Sequence, residues 1–176
     1  MTCGEETYTL GVLVQANHGS REQLTIAGAP AGREISDLLP IWNEAPSGGL
    51  IGEGSGSIIV IVATDAPLLP HQLKRLARRV PLGIGKVGGI GHNYSGDLFI
   101  AYSTANPGAA GLDLSQLTML SNQFISPLFQ ATIQATEEAI VNALIAAETM
   151  VGINANTVYA LPHDRLLQVL AQYGRL

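Results

Sequence analysis

Between Gly52 and Thr64 the sequence reads GEGSGSIIVIVAT. A glycine-rich run passes directly into the apolar block Ile58–Ala63, with Ser57 at the joint. Ile and Val dominate the block, which predicts a strand over Ser57–Thr64. The block is unbroken rather than alternating, so burial on both faces is expected. A second buried strand is expected from DLFIAYS, Asp97–Ser103. Between the two lie the turn Asp65-Ala66-Pro67, a helix opened by Pro70 with Leu73 and Leu76 on one face, and the loop GGIGHNYSG. Pro81 is expected to end or kink that helix, and Gly83 and Gly85 to weaken the segment after it.

The flanks are read in the same way. YTLGVLVQ, Tyr8–Gln15, predicts a strand, and QLTIA, Gln23–Ala27, predicts the other arm of a hairpin across the turn Asn17-His18-Gly19. Arg33–Ile51 has little periodicity and reads as a surface loop. Ser121–Val151 carries the longest helical signal, Asn154–Leu161 reads as a short strand or extended segment, and Pro162–Tyr173 as an amphipathic helix stopped by Gly174. Strands and helices alternate without a clean linker, so the expectation is a single α/β (α+β layered) domain over residues 1–176.

Composition narrows the function. The net charge is −5, with 9 basic against 14 acidic residues, which argues against nucleic acid as a partner. The cluster Lys74, Arg75, Arg78, Arg79 reads as a solvated helix face. One cysteine, Cys3, excludes an internal disulfide. The histidines His18, His71, His92 and His163 show no metal-ligand spacing, so no metal and no cofactor are expected. The N-terminus lacks a secretory pattern and no stretch is long enough to span a membrane, so a cytoplasmic protein is expected. The chain is 47% hydrophobic and 13% charged, well below the usual charged quarter. Some apolar surface is therefore expected to meet another chain or a further part of the same protein.

Three readings compete for Ser57. A strand that begins with a polar residue is the plainest. A phosphate loop fits poorly, because no lysine follows and the loop precedes a strand rather than a helix. The third is a self-cleaving junction at Gly56–Ser57, in which the hydroxyl attacks the preceding carbonyl and the resulting ester is hydrolysed. Glycine leaves the carbonyl open to attack and tolerates unusual backbone angles. The new α-amine of Ser57 would be a base with a pKa of about 7.7–8.0, suited to work at neutral pH. Nucleophile and base would then share one residue.

GVLVQANHG, GSIIVIVATDAPLLPHQLKRLARR, YSGD, ATEEAIVNALIAAETM and NTVYALP, in that order, resemble the DmpA-like peptidases, the family of L-aminopeptidase/D-esterases and β-peptidyl aminopeptidases. The resemblance runs from about Tyr8 to Pro162. It implies part of a four-layer α/β/β/α sandwich and a precursor that cuts itself at Gly56–Ser57. Residues 1–56 would then end the large subunit and 57–176 would form the small one. It implies Ser57 as N-terminal nucleophile of an aminopeptidase, Asn17 in the oxyanion hole, and Ser95 and Asp97 of YSGD beside the nucleophile. Taken alone, Asn17 suits a turn and S-G-D is a common turn sequence. Asn93, Glu148 and Asn156 also lie in or beside matching stretches, without assigned roles.

The matching family is longer, and the part with no counterpart here is the N-terminal half of the large subunit, which supplies a tyrosine to the oxyanion hole. Tyr8 gives no reason to be its replacement. The implied substrates are small peptides or amino-acid amides, and the implied partners are further copies of the chain or a missing N-terminal chain. Two alternatives stand beside the peptidase: an acyltransferase of the ornithine acetyltransferase type, for which threonine rather than serine would be expected, and a non-catalytic subunit that needs a partner.

Overall fold

The computed structural model describes residues 1–43, 56–111 and 113–176. Most of the GEGSGS run, and the Pro46–Ile51 end of the expected surface loop, lie outside the described residues. The fold is mixed α/β. Two short strands, β1 (Thr2–Cys3) and β2 (Glu6–Thr7), pair antiparallel at the start. The main sheet has the order β3-β4-β5, from β3 (Leu10–Asn17), β4 (Ser57–Thr64) and β5 (Leu98–Ser103). β4 and β5 are parallel, with Ile59 opposite Leu98 and Thr64 opposite Ser103. The helices are α1 (Ala31–Glu34), α2 (Pro70–Ala77), α3 (Val80–Lys86), α4 (Ser126–Ala146) and α5 (His163–Gln172). A last antiparallel pair joins β6 (Met150–Val151) to β7 (Thr157–Val158). The described residues form two compact units, one of residues 1–15, 59–83 and 98–139, the other of residues 16–58, 84–97 and 140–176.

In the first unit, Val60, Val62 and Thr64 of β4 are buried, while Ile59 is 39% exposed. The register sets Ile59 beside Leu98, which is 61% exposed, and Ile61 beside Ile100, which is 56% exposed. The expected burial of β4 on both faces, and of β5, is therefore corrected: one face of β4 is buried, and the other continues into β5 as an exposed apolar row. α2 packs against β5 and buries Leu76 and Gln72. Burying a glutamine requires partners for its whole amide. Gln72 Oε1 accepts the Leu69 N–H at 3.1 Å, and its Nε2 donates to Leu120 O at 2.8 Å and to Asn122 Oδ1 at 3.1 Å.

α2 ends at Ala77, and Pro81 sits in the first turn of α3, where its missing N–H leaves no bond unmade. α3 forms with Gly83 inside it. A Cβ there would stand 2.6 Å from Ile133 O and 2.7 Å from Thr136 Cβ, so glycine lets α3 lie close against α4. The buried Thr132 and Thr136 of α4 donate to the carbonyls one turn back, Leu128 O at 2.8 Å and Thr132 O at 2.7 Å. The basic cluster is only partly a solvated face. Arg79 lies 3.8 Å and Arg75 5.1 Å from the centre of the Phe129 ring.

The second unit has its own core, in which Ile26, Ala29, Ala31 and Ile35 pack with Leu166 and Val169 of α5. The spacing Leu166, Val169, Leu170 gives α5 its apolar stripe. QLTIA does not form a hairpin arm. Arg21–Gln23 is a 3-10 turn, Thr25 N donates to Val87 O, and Ile26 and Ala29 exchange backbone hydrogen bonds across a tight turn. Two glycines hold this path. A Cβ at Gly32 would overlap Arg21 O, and one at Gly88 would overlap Gln23 O. The Arg21 guanidinium closes the turn by donating to Ile35 O and Leu38 O, each at 3.0 Å.

Candidate active site

Ser57 is the first residue of β4, and Asp97 directly precedes β5. Because the two strands are parallel, their beginnings lie at the same end of the sheet. The offset that pairs Ile59 with Leu98 also sets Gly56 in a bridge with Ser95. YSGD is thereby laid along the Gly56–Ser57 bond. The Gly96 N–H donates to Ser57 Oγ at 3.0 Å. Asp97 Oδ1 accepts the Ser95 hydroxyl at 2.6 Å and the Ile58 N–H at 3.2 Å. Ser57, Ser95 and Asp97 are half-buried.

Asn17 ends β3 and also reaches this bond. A Cβ at Gly56 would overlap the Asn17 carbonyl oxygen and stand 3.4 Å from His18 Cα. Gly56 has φ of 155°, a conformation that side chains disfavour. Backbone contact thus requires glycine before Ser57. The structure brings together Asn17, Gly56, Ser57, Ser95 and Asp97.

His18 joins them, although no sequence signal marks it beyond its place between Asn17 and Gly19. Its Nδ1 is enclosed and meets no hydrogen-bond partner among the described residues. Burial pushes its pKa below the usual histidine value, while the nearby Asp97 charge pulls the other way. Asn156 belongs to a different arrangement, its Oδ1 accepting the Asn43 N–H at 2.9 Å. Glu148 and Asn93 are exposed. Among the described residues no group of three or more His, Cys, Asp or Glu is placed to hold a metal ion, and no helix is long and apolar enough to cross a membrane.

Ser57 thus heads the middle strand of the sheet, with Gly56 held against Asn17 before it. The fold is shared with solved structures. The L-aminopeptidase D-Ala-esterase/amidase of Ochrobactrum anthropi, described as a variant of the Ntn hydrolase fold, superposes with a TM-score of 0.85 at 46% identity, over 100% of this chain and 47% of its own. A Burkholderia sp. β-aminopeptidase superposes with a TM-score of 0.72 at 40% identity, over 95% of this chain and 45% of its own. Residues 1–158 match the family model of peptidase family S58, and the chain belongs to that family. In sequence it is 46% identical to the β-peptidyl aminopeptidase BapA of Sphingosinicella microcystinivorans over 97% of this chain and 45% of that protein. The chain thus spans a little under half the length of the relatives it matches.

Proposed function

We propose that this chain carries the self-processing site and nucleophile of a serine aminopeptidase, which releases N-terminal residues from small peptides, amides or esters. The observation that carries the reading is the parallel register that lays Ser95, Gly96 and Asp97 against Gly56, Ser57 and Ile58. In processing, Ser57 Oγ attacks the Gly56 carbonyl carbon. The Gly56–Ser57 C–N bond breaks, the nitrogen takes up the hydroxyl proton, and an ester forms. Water hydrolyses the ester, leaving a carboxylate on Gly56 and a free amine and hydroxyl on Ser57. In turnover that amine accepts the Oγ proton as Oγ attacks the substrate carbonyl, then gives it to the leaving amine. Water releases the acyl group.

Asn17 is the candidate amide donor for the oxyanion of both reactions. Asp97 holds the Ser95 hydroxyl and the Ile58 amide, and so fixes the strand end on which Ser57 sits. Serine at position 57, rather than threonine, favours hydrolysis over acyl transfer. The exposed row Ile59, Leu98, Ile100 and Tyr102 supports completion of the enzyme by more polypeptide, from a partner chain or further copies.

Intact mass under denaturing conditions tests the reading. Two pieces that meet at Gly56–Ser57, with release of the N-terminal residue from amino-acid amides, are expected. An uncut chain that stays uncut when co-expressed with the N-terminal half of a relative overturns it.

A further inference from the structure

Cutting Gly56–Ser57 takes away one of the two covalent attachments of residues 18–43. In the uncut chain they run from β3 at one end and lead, through Ser57, into β4 at the other; in the cut protein only the join to β3 remains. We propose that helix α5 is the clasp that holds this segment once its far end is free, and that α5 thereby keeps Asn17 in position during turnover; this rests on the self-processing reading. Leu166, Val169, Leu170 and Tyr173 recur at helix spacing and share one side of α5. Leu166 and Val169 are buried in one core with Ile26, Ala29, Ala31 and Ile35 of the segment. Arg165 donates to both Asp37 carboxylate oxygens, at 2.9 and 2.7 Å, and the Tyr173 hydroxyl donates to Glu34 Oε1 at 2.8 Å.

The polar pairs are exposed and contribute little strength, but they fix which turn of α5 faces which part of the segment. The buried side chains supply the hold. Elsewhere the segment meets the later part of the chain through hydrogen bonds at exposed positions, Thr25 Oγ1 to Lys86 O at 2.6 Å and Asn43 to residues 154–156, where water competes. From α5 the hold reaches Asn17 in short steps. α5 packs on α1, the Gly32 N–H of α1 donates to Leu24 O at 3.0 Å, and the Arg21 guanidinium donates to Ile35 O and Leu38 O. Arg21 lies four residues beyond Asn17. In the uncut chain Gly56, joined to β4, also bears on the Asn17 carbonyl. Once Gly56 is a free end that support goes, and the route through α5 matters more. α5 is thus a positioning element for turnover rather than for the cut.

Val169→Ala thins the buried seam. Arg165→Asp leaves that core intact and sets two carboxylates against each other at the exposed pair. Each is made in the processed protein, co-expressed with the N-terminal half of a relative. For Val169→Ala, amide hydrogen exchange at Ile26, Gly32 and Ile35 is expected to quicken at least about tenfold. Hydrolysis of an amino-acid amide should lose at least about fivefold in kcat with KM within about twofold, while the processing time course stays within about twofold of the natural chain. Arg165→Asp should move the same readings in the same direction, and Asp37→Arg added to it should restore them. Should Val169→Ala fail to fold, this charge swap decides alone. Unchanged exchange, faster exchange with kcat intact, processing slowed as much as turnover, or no rescue by the charge swap would each overturn the proposal. A natural chain that stays in one piece removes the self-processing reading itself, and intact mass tells that failure from the others.

Discussion

Ser57 Oγ accepts the Gly96 N–H at 3.0 Å, although the two residues are 39 apart in sequence. The bond fixes the oxygen while leaving its hydrogen free to move. Ser57→Ala removes the hydroxyl proposed as nucleophile and one bond to an exposed amide that water can replace. Self-cleavage should vanish and hydrolysis fall by at least about 10³-fold, while stability changes by about 1 kcal/mol or less. Denaturing mass spectrometry and urea unfolding read the two effects. Normal turnover in the variant would remove Ser57 from the mechanism.

Gly56→Ala tests the backbone contact instead of the chemistry. The added methyl would meet the Asn17 carbonyl, so either the Gly56–Ser57 bond or Asn17 must shift. A displacement of about 1 Å costs on the order of 10²-fold in a positioned reaction. A processing time course should show cleavage slowed by at least that factor, with Ser57 intact.

Asp97 separates charge from hydrogen bonding. Asp97→Asn keeps an acceptor for Ser95 and Ile58, so the fold should hold within about 1 kcal/mol while processing slows. Asp97→Ala leaves the Ile58 amide without its acceptor and should cost about 1–3 kcal/mol in addition. Two variants of equal stability would show that the Asp97 bonds do not hold the strand end.

His18 sets a pH dependence of stability. Its folded pKa is lowered by burial, so between that value and the unfolded pKa of about 6.5 the unfolded chain holds more protons. His18 therefore contributes stability that is full above about pH 7.5 and declines as the pH falls through 6.5 toward the folded pKa. Urea midpoints between about pH 5 and 8 should fall more steeply for the natural chain than for His18→Gln. Equal slopes would mean that the ring titrates alike in both states.

Much of the fold was legible wherever local chemistry decides it. SIIVIVAT and DLFIAYS form strands because their residues suit no other element so well, and α5 follows from Leu166, Val169 and Leu170. The uncovered face of β4 was not legible, because Ile59 and Ile61 read the same whatever lies over them. QLTIA misled for a related reason. Its composition is that of a strand, but Thr25 bonds to Val87 and the path is shaped by Gly88, far along the chain. The meeting of Ser57 with Ser95 and Asp97 depends on a strand register that no local pattern states. There the ordered set of motifs pointed to residues that composition alone leaves as turns. His18 reads from the sequence only as a turn residue, because a lone histidine carries no spacing signal.

The two close backbone contacts at Gly32 and Gly88 bear on how this protein can vary. They grip the chain at Arg21 and at Gln23, a few residues beyond Asn17, and Gly56 meets Asn17 itself. The interval from Asn17 to Gln23 is therefore a ruler of set length. A residue inserted or deleted inside it would slide Asn17 along the Gly56–Ser57 bond, whereas the same change between Asn106 and Gly111 would leave that interval untouched. Length variation among natural forms of this chain should avoid this one short interval.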